Sequence, residues 1–448
     1  ERVPAGASIA QAAARLRERQ VDCLLVDDPD HPDPGIVTRT DLLEALTLRQ
    51  LPLDAAVGPL ASRPLVGVEA GEALFQALTA MTERHIERVV VRRGDQVAGT
   101  LGMAEVLSHY ANHSHLISLR LARATTLAEV ADAARDMTRL VRTLHAQGAR
   151  IAYLMELVSA LNSRVMGRIF ELVVPPQFHD RLCLLVMGSE GRREQLLKTD
   201  QDNALIVADA LDWPGLAAAM DAFSAALEDV GYPPCPGQVM VNNPHWRMTT
   251  AQWRQRIGQW RHDYTGQAPL DLSIALDARA IAGNRDLFAP VQQGLMSLGQ
   301  DDMLLHHLAR ATLNFETPLT LLGNVKGDGR GTDLKKGGIF PVVHGMRALA
   351  LEARVEETNT FDRIRKLTEL HRIEEQLGRD VAEALSYLMD LRLKAGLEAI
   401  ALNRNDTEEP NQIDLKSLST LERDLLKDAL QVIKRFKGVI RFHFNLNS

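Results

Sequence analysis

The sequence predicts a multidomain protein with α/β parts and an all-α part, and three observations carry that prediction. A chain of 448 residues corresponds to two to four domains at roughly 100–200 residues each. A weak internal repeat occupies the first 110 residues. Two apolar, strand-like runs at 182–187 and 203–207 lie between long segments of helical period. Hydrophobic residues at 46% and charged residues at 24% supply a sizeable core and exclude a disordered or fibrous chain. Lys+Arg 51 against Asp+Glu 58 gives a net charge of −7, which argues against a nucleic-acid coat, whose binding needs clustered positive charge. No apolar run nears the roughly 18 residues of a membrane span. Cys23, Cys183 and Cys235 lack Cys-x-x-Cys spacing, so neither a disulfide framework nor a zinc site is expected, and the expected location is cytoplasmic. The chain opens at Glu1 rather than Met, and a segment is expected upstream of it.

The repeat sets the first elements. One copy reads as a helix from Ser8, a strand Val21–Val26, then Gly35-Ile36-Val37-Thr38 as a strand running into a helix with Asp41. The second reads as a helix from Gly71, a strand Ile86–Val91, then Ala98–Gly102 running into Met103–Leu107. Matched landmarks are about 63–65 residues apart, and each copy is too small to bury its own apolar face, so the two should pack as one module. The order helix, strand, turn, Gly-hydrophobic-Val-Thr-x-x-Asp resembles a CBS-domain pair. That resemblance implies adenosine-nucleotide sensing, with Thr38 and Asp41 touching the ligand. The second copy carries Gly102 and Glu105 at the equivalent places, so one adenosine ligand is expected rather than two. Thr38 and Asp41 also suit a simple helix cap.

Helical period follows. Thr126-Leu127-Ala128-Glu129 is a capping-box signature before apolar Val130, Ala133, Met137, Leu140, Val141 and Leu144. A second stripe from Ile151 to Leu172 stops before Pro175-Pro176. These two helices are expected to form a spacer or docking hairpin.

Residues 181–207 carry the chemistry. Leu182–Met187 reads as a buried strand ending in Gly188-Ser189-Glu190-Gly191-Arg192. A short helical stretch with Glu194 and Gln195 should follow, then a strand opening with Thr199-Asp200-Gln201-Asp202. On a strand, residues i and i+2 share a face, so Asp200 and Asp202 project together and Gln201 away. Adjacent carboxylates repel unless a cation lies between them. Hard oxygen ligands of this kind suit Mg²⁺ (or Mn²⁺) together with substrate phosphates. Gly188 and Ser189 leave room for a triphosphate, and Arg192, Arg193 and Lys198 offer positive charge beside it.

This run resembles the DNA polymerase beta nucleotidyltransferase superfamily, and more narrowly the CBS-linked nucleotidyltransferases related to the bacterial uridylyltransferase that modifies a nitrogen-regulatory protein. The resemblance implies a third carboxylate, for which Asp277 is favoured over Asp271. It also implies a nucleotide or acceptor groove near Asn242, Asn243 and Trp246, although Trp246 equally suits a buried anchor. Arg279 suits either substrate contact or a salt bridge to the acidic cluster.

From about residue 300 the chain reads as helical, apart from Gly327–Pro341, which is too glycine-rich for regular structure. Its Lys335 and Lys336 suit phosphate, an acidic partner, or a solvated connector. Asp406–Pro410 is a polar break. After it, Ser419–Glu422 caps a last helix with apolar Leu421, Leu425, Ala429, Val432, Phe436 and Ile440. There is no Walker motif, no His-Glu-x-x-His and no convincing nucleophile–base set.

The expected organisation is a CBS pair over 1–111, a helical linker or hairpin over 112–175, a polymerase-beta-like nucleotidyltransferase domain with a mixed sheet over 176–290, and a helical substrate-binding domain over 291–448. The expected activity is Mg²⁺-dependent transfer of NMP from an NTP to an acceptor, by analogy a regulatory protein. Asp200 and Asp202 would hold metal, Asp277 would orient or deprotonate the acceptor, and Gly188, Ser189, Arg192 and Lys198 would hold phosphates. A nucleotide sensor without turnover is the alternative. The expected assembly is a homodimer, with no membrane and no nucleic acid among its partners.

Overall fold

The computed structural model describes residues 1–446 except 20, 32, 73, 85, 95, 321, 322, 327–330 and 402–410. The first part of the glycine-rich stretch, 327–330, and the polar break 406–410 therefore lie outside the described residues, as does Ala73 in the second repeat. Two compact units are present, Glu1–Asn112 and His113–Ser448.

The first unit contains β1 (Arg2–Pro4), α1 (Ile9–Arg19), β2 (Cys23–Asp27), β3 (Gly35–Thr38), α2 (Arg39–Thr47), β4 (Gly67–Glu69), α3 (Leu74–Glu83), β5 (Arg88–Arg93) and β6 (Gln96–Gly102), with α4 (Met103–Arg123) running past the division. The repeat is visible in the pairing: β1 is parallel to β2 and β3 antiparallel to it, while β4 is parallel to β5 and β6 antiparallel to it. The first copy buries Ile9, Leu16, Leu24, Val26, Val37 and Leu42 in one cluster. These positions repeat at helical spacing on α1 and alternate on the strands, as a half-buried repeat requires.

The second unit contains α5 (Leu127–Ala146), α6 (Ile151–Val173), β7 (Leu182–Val186), α7 (Gly188–Gly191), β8 (Asn203–Val207), α8 (Leu216–Asp229), β9 (Arg247–Thr249), α9 (Thr250–Trp260), α10 (Ala268–Ala275), β10 (Arg279–Gly283), α11 (Ala289–Ser297), α12 (Asp302–Arg310), β11 (Thr332–Asp333), α13 (Phe340–Glu352), α14 (Thr360–Glu369), α15 (Glu375–Ala401), β12 (Gln412–Ile413) and α16 (Thr420–His443). Its main sheet has the order β10-β7-β8-β9. The β7 pairs are antiparallel and β8–β9 is parallel, which makes the sheet mixed. Every residue of β7 and β8 is buried, so both faces of the central strands need cover.

Helix α6 supplies part of that cover. It packs against β10 and α8 and buries Val158, Leu161, Val165, Ile169 and Phe170. It also packs along α5, so the two helices make a hairpin built into the sheet's core rather than a spacer. The strand expected from Leu272 begins only at Arg279, because residues 268–275 close a helix first.

Two further segments depart from expectation. Lys335–Ile339 forms a π turn leading directly into α13. A Cβ on Gly337 would come 2.5 Å from Pro318 and one on Gly338 2.6 Å from Leu388, so these glycines serve close packing and do not make a flexible loop. On α16 the buried positions are Leu426, Ala429, Leu430, Ile433, Phe436 and Ile440; Leu421 and Leu425, 69% and 45% exposed, lie off that face. The stripe is rotated because α15, packed along α16, selects the face.

Asn359 joins local and tertiary order. Its side chain caps α14 by accepting from the N–H groups of Phe361 and Asp362, while its Nδ2 donates to the Arg192 carbonyl at 2.9 Å. Asn359→Ala should cost about 1–2 kcal/mol in denaturant unfolding, with the m-value unchanged.

Candidate nucleotidyl-transfer site

The site begins where β7 ends. Gly188 has φ +55°, a conformation glycine adopts readily. A Cβ there would also run into the Asp202 carboxylate. The turn is pinned to the start of β8 by the Met187 N–H, which donates to the Asp202 carbonyl at 2.9 Å. The short helix falls on Gly188–Gly191 itself rather than around Glu194.

Asp200 and Asp202 precede β8 and do project together. One ligand atom from each, with the Cys235 thiol, lies within 4.8 Å of the others. Gln201 points the other way and is buried, donating to the Ser224 and Tyr232 carbonyls at 3.2 Å each. Burial and the neighbouring Asp200 carboxylate push the Asp202 carboxyl up to about 6. Burial and Asp202 push the Cys235 thiol up to about 12, so it stays protonated beside the acids. Two carboxylates in such a place fit a hard divalent cation through oxygen, and a neutral thiol does not add to that donor set.

The charged residues of the Gly-Ser motif mostly hold the turn in place. Glu190 accepts from Asn162 Nδ2 at 2.7 Å, and Asn162 in turn accepts from the Tyr232 hydroxyl at 2.5 Å. Arg279 pairs with Glu190 of this turn at 3.3 Å and donates to Ser159 and Ser163. Burial raises the Glu190 carboxyl to about 7. Glu194 accepts from the Thr360 N–H at 2.6 Å and from Arg192 Nε at 2.8 Å.

Asp277 occupies the centre of a different structure. It is fully buried and accepts from Arg192 at 2.7 Å, from Arg347 Nε at 3.1 Å and from Arg363 at 2.9 Å. Although burial alone would raise it, Arg347, Arg192 and Arg363 together hold its carboxyl well below the ordinary carboxylate range. Both oxygens are committed to guanidinium groups, so the expectation that Asp277 orients or deprotonates an acceptor does not fit this geometry. Asp271, the competitor, lies on α10 and is paired with His245 at 2.8 Å.

The other expected residues divide. Ser189 lines a cleft beside the turn. Arg192 has its Nε and one terminal nitrogen engaged with Glu194 and Asp277, which leaves only its other terminal nitrogen for a phosphate. Lys198 does not fit its phosphate role: its ammonium donates to the Ala134 and Val230 carbonyls at 2.9 and 2.8 Å, tying α5 to the end of α8. Burial lowers the Lys198 ammonium to about 8. Lys335 is close enough to feel both Asp200 and Asp202. Lys336 is exposed and lies 4.0 Å from Asp333. Trp246 is a buried anchor against Trp253. Asn243 spends its side chain on Gln238 and His245, whereas the buried Oδ1 of Asn242 has no partner among the described residues. Sequence reasoning missed Arg347, Arg363 and Arg392, since no local motif marks arginines on helices far along the chain.

In the first unit, Thr38 and Asp41 form a reciprocal capping box at the start of α2. They also line a cavity of about 730 Å³ together with Arg39, Arg63, Arg88 and Glu105. Glu105 repeats part of the cap, accepting from the Gly102 N–H at 2.6 Å.

Comparisons with known proteins agree with this architecture. Residues 135–267 match the family model described as "Putative nucleotidyltransferase DUF294", residues 302–444 its "Putative nucleotidyltransferase substrate binding domain", and residues 2–48 the CBS domain. The chain belongs to this CBS-linked nucleotidyltransferase family, and it has a nucleotidyltransferase or nucleotide-sensing role. No curated protein matches the chain. Among solved structures it is similar to an uncharacterized conserved protein from Pyrococcus horikoshii (22% identity, 24% of this chain and 82% of that one, TM-score 0.23). It is also similar to a CBS domain protein from Pyrobaculum aerophilum complexed with AMP (25% identity, 25% and 90%, TM-score 0.22) and to a CBS-domain protein from Agrobacterium tumefaciens (24% identity, 24% and 80%, TM-score 0.22). Among the described residues no helix is long and apolar enough to cross a membrane.

Asp277→Asn should destabilise the protein by about 3–5 kcal/mol at pH 7, because it leaves buried arginines without their counter-charge. The Asp277 carboxyl lies lower in the folded than in the unfolded state, so its contribution is complete above about pH 4 and is lost as pH falls below that. Unfolding curves of wild type and variant should therefore converge in acid.

Proposed function

We propose that this chain is a Mg²⁺-dependent nucleotidyltransferase that moves NMP from an NTP to a hydroxyl of an acceptor, a regulatory protein. Control would come through an adenosine nucleotide at the CBS pair, within a cytoplasmic homodimer. The observation that carries the reading is the convergence of the Asp200 and Asp202 carboxylates within 4.8 Å at the Gly188–Ser189 turn. In the transfer, the acceptor oxygen bonds to the α-phosphorus and the bond from that phosphorus to the β-phosphate bridging oxygen breaks. Pyrophosphate leaves and the acceptor's proton is released.

Asp200 and Asp202 would hold the divalent cation, which when bound neutralises phosphate charge as it shifts to the leaving group. Gly188 keeps the turn close to Asp202, with no side chain between them. Ser189 and the free terminal nitrogen of Arg192 position phosphate oxygens, and the Lys335 ammonium adds positive charge from the helical half of the unit. Arg347 and Arg363 act through Arg192, which Asp277 aligns from behind.

A sensor without turnover is the second reading, favoured by the 730 Å³ cavity between the repeats. Titration of ATP, UTP, GTP and CTP with Mg²⁺, followed by a pyrophosphate-release assay, separates the two. The expected outcome is one preferred triphosphate, metal-dependent pyrophosphate release on adding the acceptor, and loss of both in Asp200→Ala/Asp202→Ala. Nucleotide binding untouched by that double variant, with no pyrophosphate formed, would favour the sensor.

A further inference from the structure

Beside the Gly-Ser turn, a cleft of about 160 Å³ runs between the 194–199 loop and α15. Its α15 side is a single helical face: Met389, Arg392, Leu393 and Gly396 follow one another at three- and four-residue steps. Across from them stand Ser189 and Leu196. Most of the exposed lining is apolar; of its polar residues, Glu194, Gln195, Lys198 and Thr199 are engaged with other protein groups, and Ser189 and Arg392 are the ones placed to meet a ligand. The space is smaller than the 300–1,000 Å³ typical of a site for a whole ligand, so it suits one part of a larger molecule.

Two features show that the cleft continues the reaction centre. Ser189 follows the glycine that abuts the Asp202 carboxylate. Arg392, with Nε on Asn411 at 2.8 Å, forms no ion pair among the described residues, although its guanidinium is near enough to feel Asp200 and Asp333. A half-buried guanidinium without its own carboxylate, beside two acids that suit a cation, calls for an anion spanning both. Gly396 adds a further sign. Glycine is unfavourable in a helix interior, and this one is buried and lines the cleft.

Building on the proposed nucleotidyl transfer, we infer that the donor NTP lies between the two halves of the second unit. Arg392 contacts its phosphates, and the apolar cleft of Leu196, Met389, Leu393 and Gly396 receives its nucleobase. The helical half then supplies part of the donor site, in addition to any acceptor contacts, and the cleft sets which base is preferred.

The test measures Mg²⁺-dependent binding of three probes: the preferred NTP, inorganic tripolyphosphate and the matching nucleoside. Arg392→Gln should weaken NTP and tripolyphosphate alike, by about tenfold or more for a lost charged contact, and leave the nucleoside unchanged. Arg392→Lys should recover part of that loss. Gly396→Leu, with Ala399→Leu as the milder filling of the same face, should weaken NTP and nucleoside and leave tripolyphosphate unchanged. A merely structural role for either residue would move all three probes together, and that result overturns the inference, as does NTP binding unaltered in every variant. If the wild type binds NTP and releases pyrophosphate while these variants behave as it does, the cleft assignment falls and nucleotidyl transfer stands. If the wild type binds no NTP at all, both fall.

Discussion

The second unit depends on one buried carboxylate. Asp277, just before β10, accepts from Arg192 of the Gly-Ser turn, Arg347 of α13 and Arg363 of α14. Three guanidinium groups cannot be buried together without compensation, because each would keep its full desolvation cost. Asp277 and Glu194 offset two of the three charges, and the half-buried His344 stays neutral, its imidazole pushed down to about 3 by desolvation and Arg347. The turn that faces the site, the edge strand of the sheet and two helices of the C-terminal half are thereby held in one arrangement. A polar cluster of this kind fixes geometry more than it adds stability, and a site built from several elements needs fixed geometry.

The same cluster explains the electrostatics around the acidic pair. Arg192, paired with Glu194 and Asp277, lies behind the turn, and Lys335 and Arg392 approach from the helical half. Asp200 and Asp202 therefore sit in a mostly positive surround. A surface that is acidic at its centre and basic at its rim suits a cation bound together with a polyanion better than either alone. The overall charge of −7 gives no hint of this, because the arginines that matter are dispersed along the chain.

Much of the motif's composition proved to be support. Glu190, Glu194 and Gln195 lie in the run that points most clearly to nucleotidyl transfer, yet Glu190 is engaged with Asn162 and Arg279, and Glu194 with Arg192 and Thr360. Lys198, the basic residue nearest the acids in sequence, turns away to two backbone carbonyls. Nearness in sequence to a phosphate turn is a poor guide to which cation reaches the phosphate, since a lysine stem can bury either way.

What the sequence determined by itself was local and periodic. The strand–Gly-Ser–Asp-x-Asp order placed two carboxylates on one side and Gln201 on the other, because side chains alternate along an extended chain. The capping boxes at Thr38, Thr126 and Ser419 marked their helices, because a cap needs only residues three apart. The repeat of the first unit was legible for the same reason. Tertiary structure alone decided the rest. It placed Asp277 among arginines 70 and 86 residues further along the chain, drew α6 under the sheet, rotated the buried face of α16, and set Arg392 beside Ser189. Each of these depends on which surfaces meet across long stretches of chain, and burial and charge compensation in three dimensions, unlike period and spacing, leave no mark on any short window of sequence.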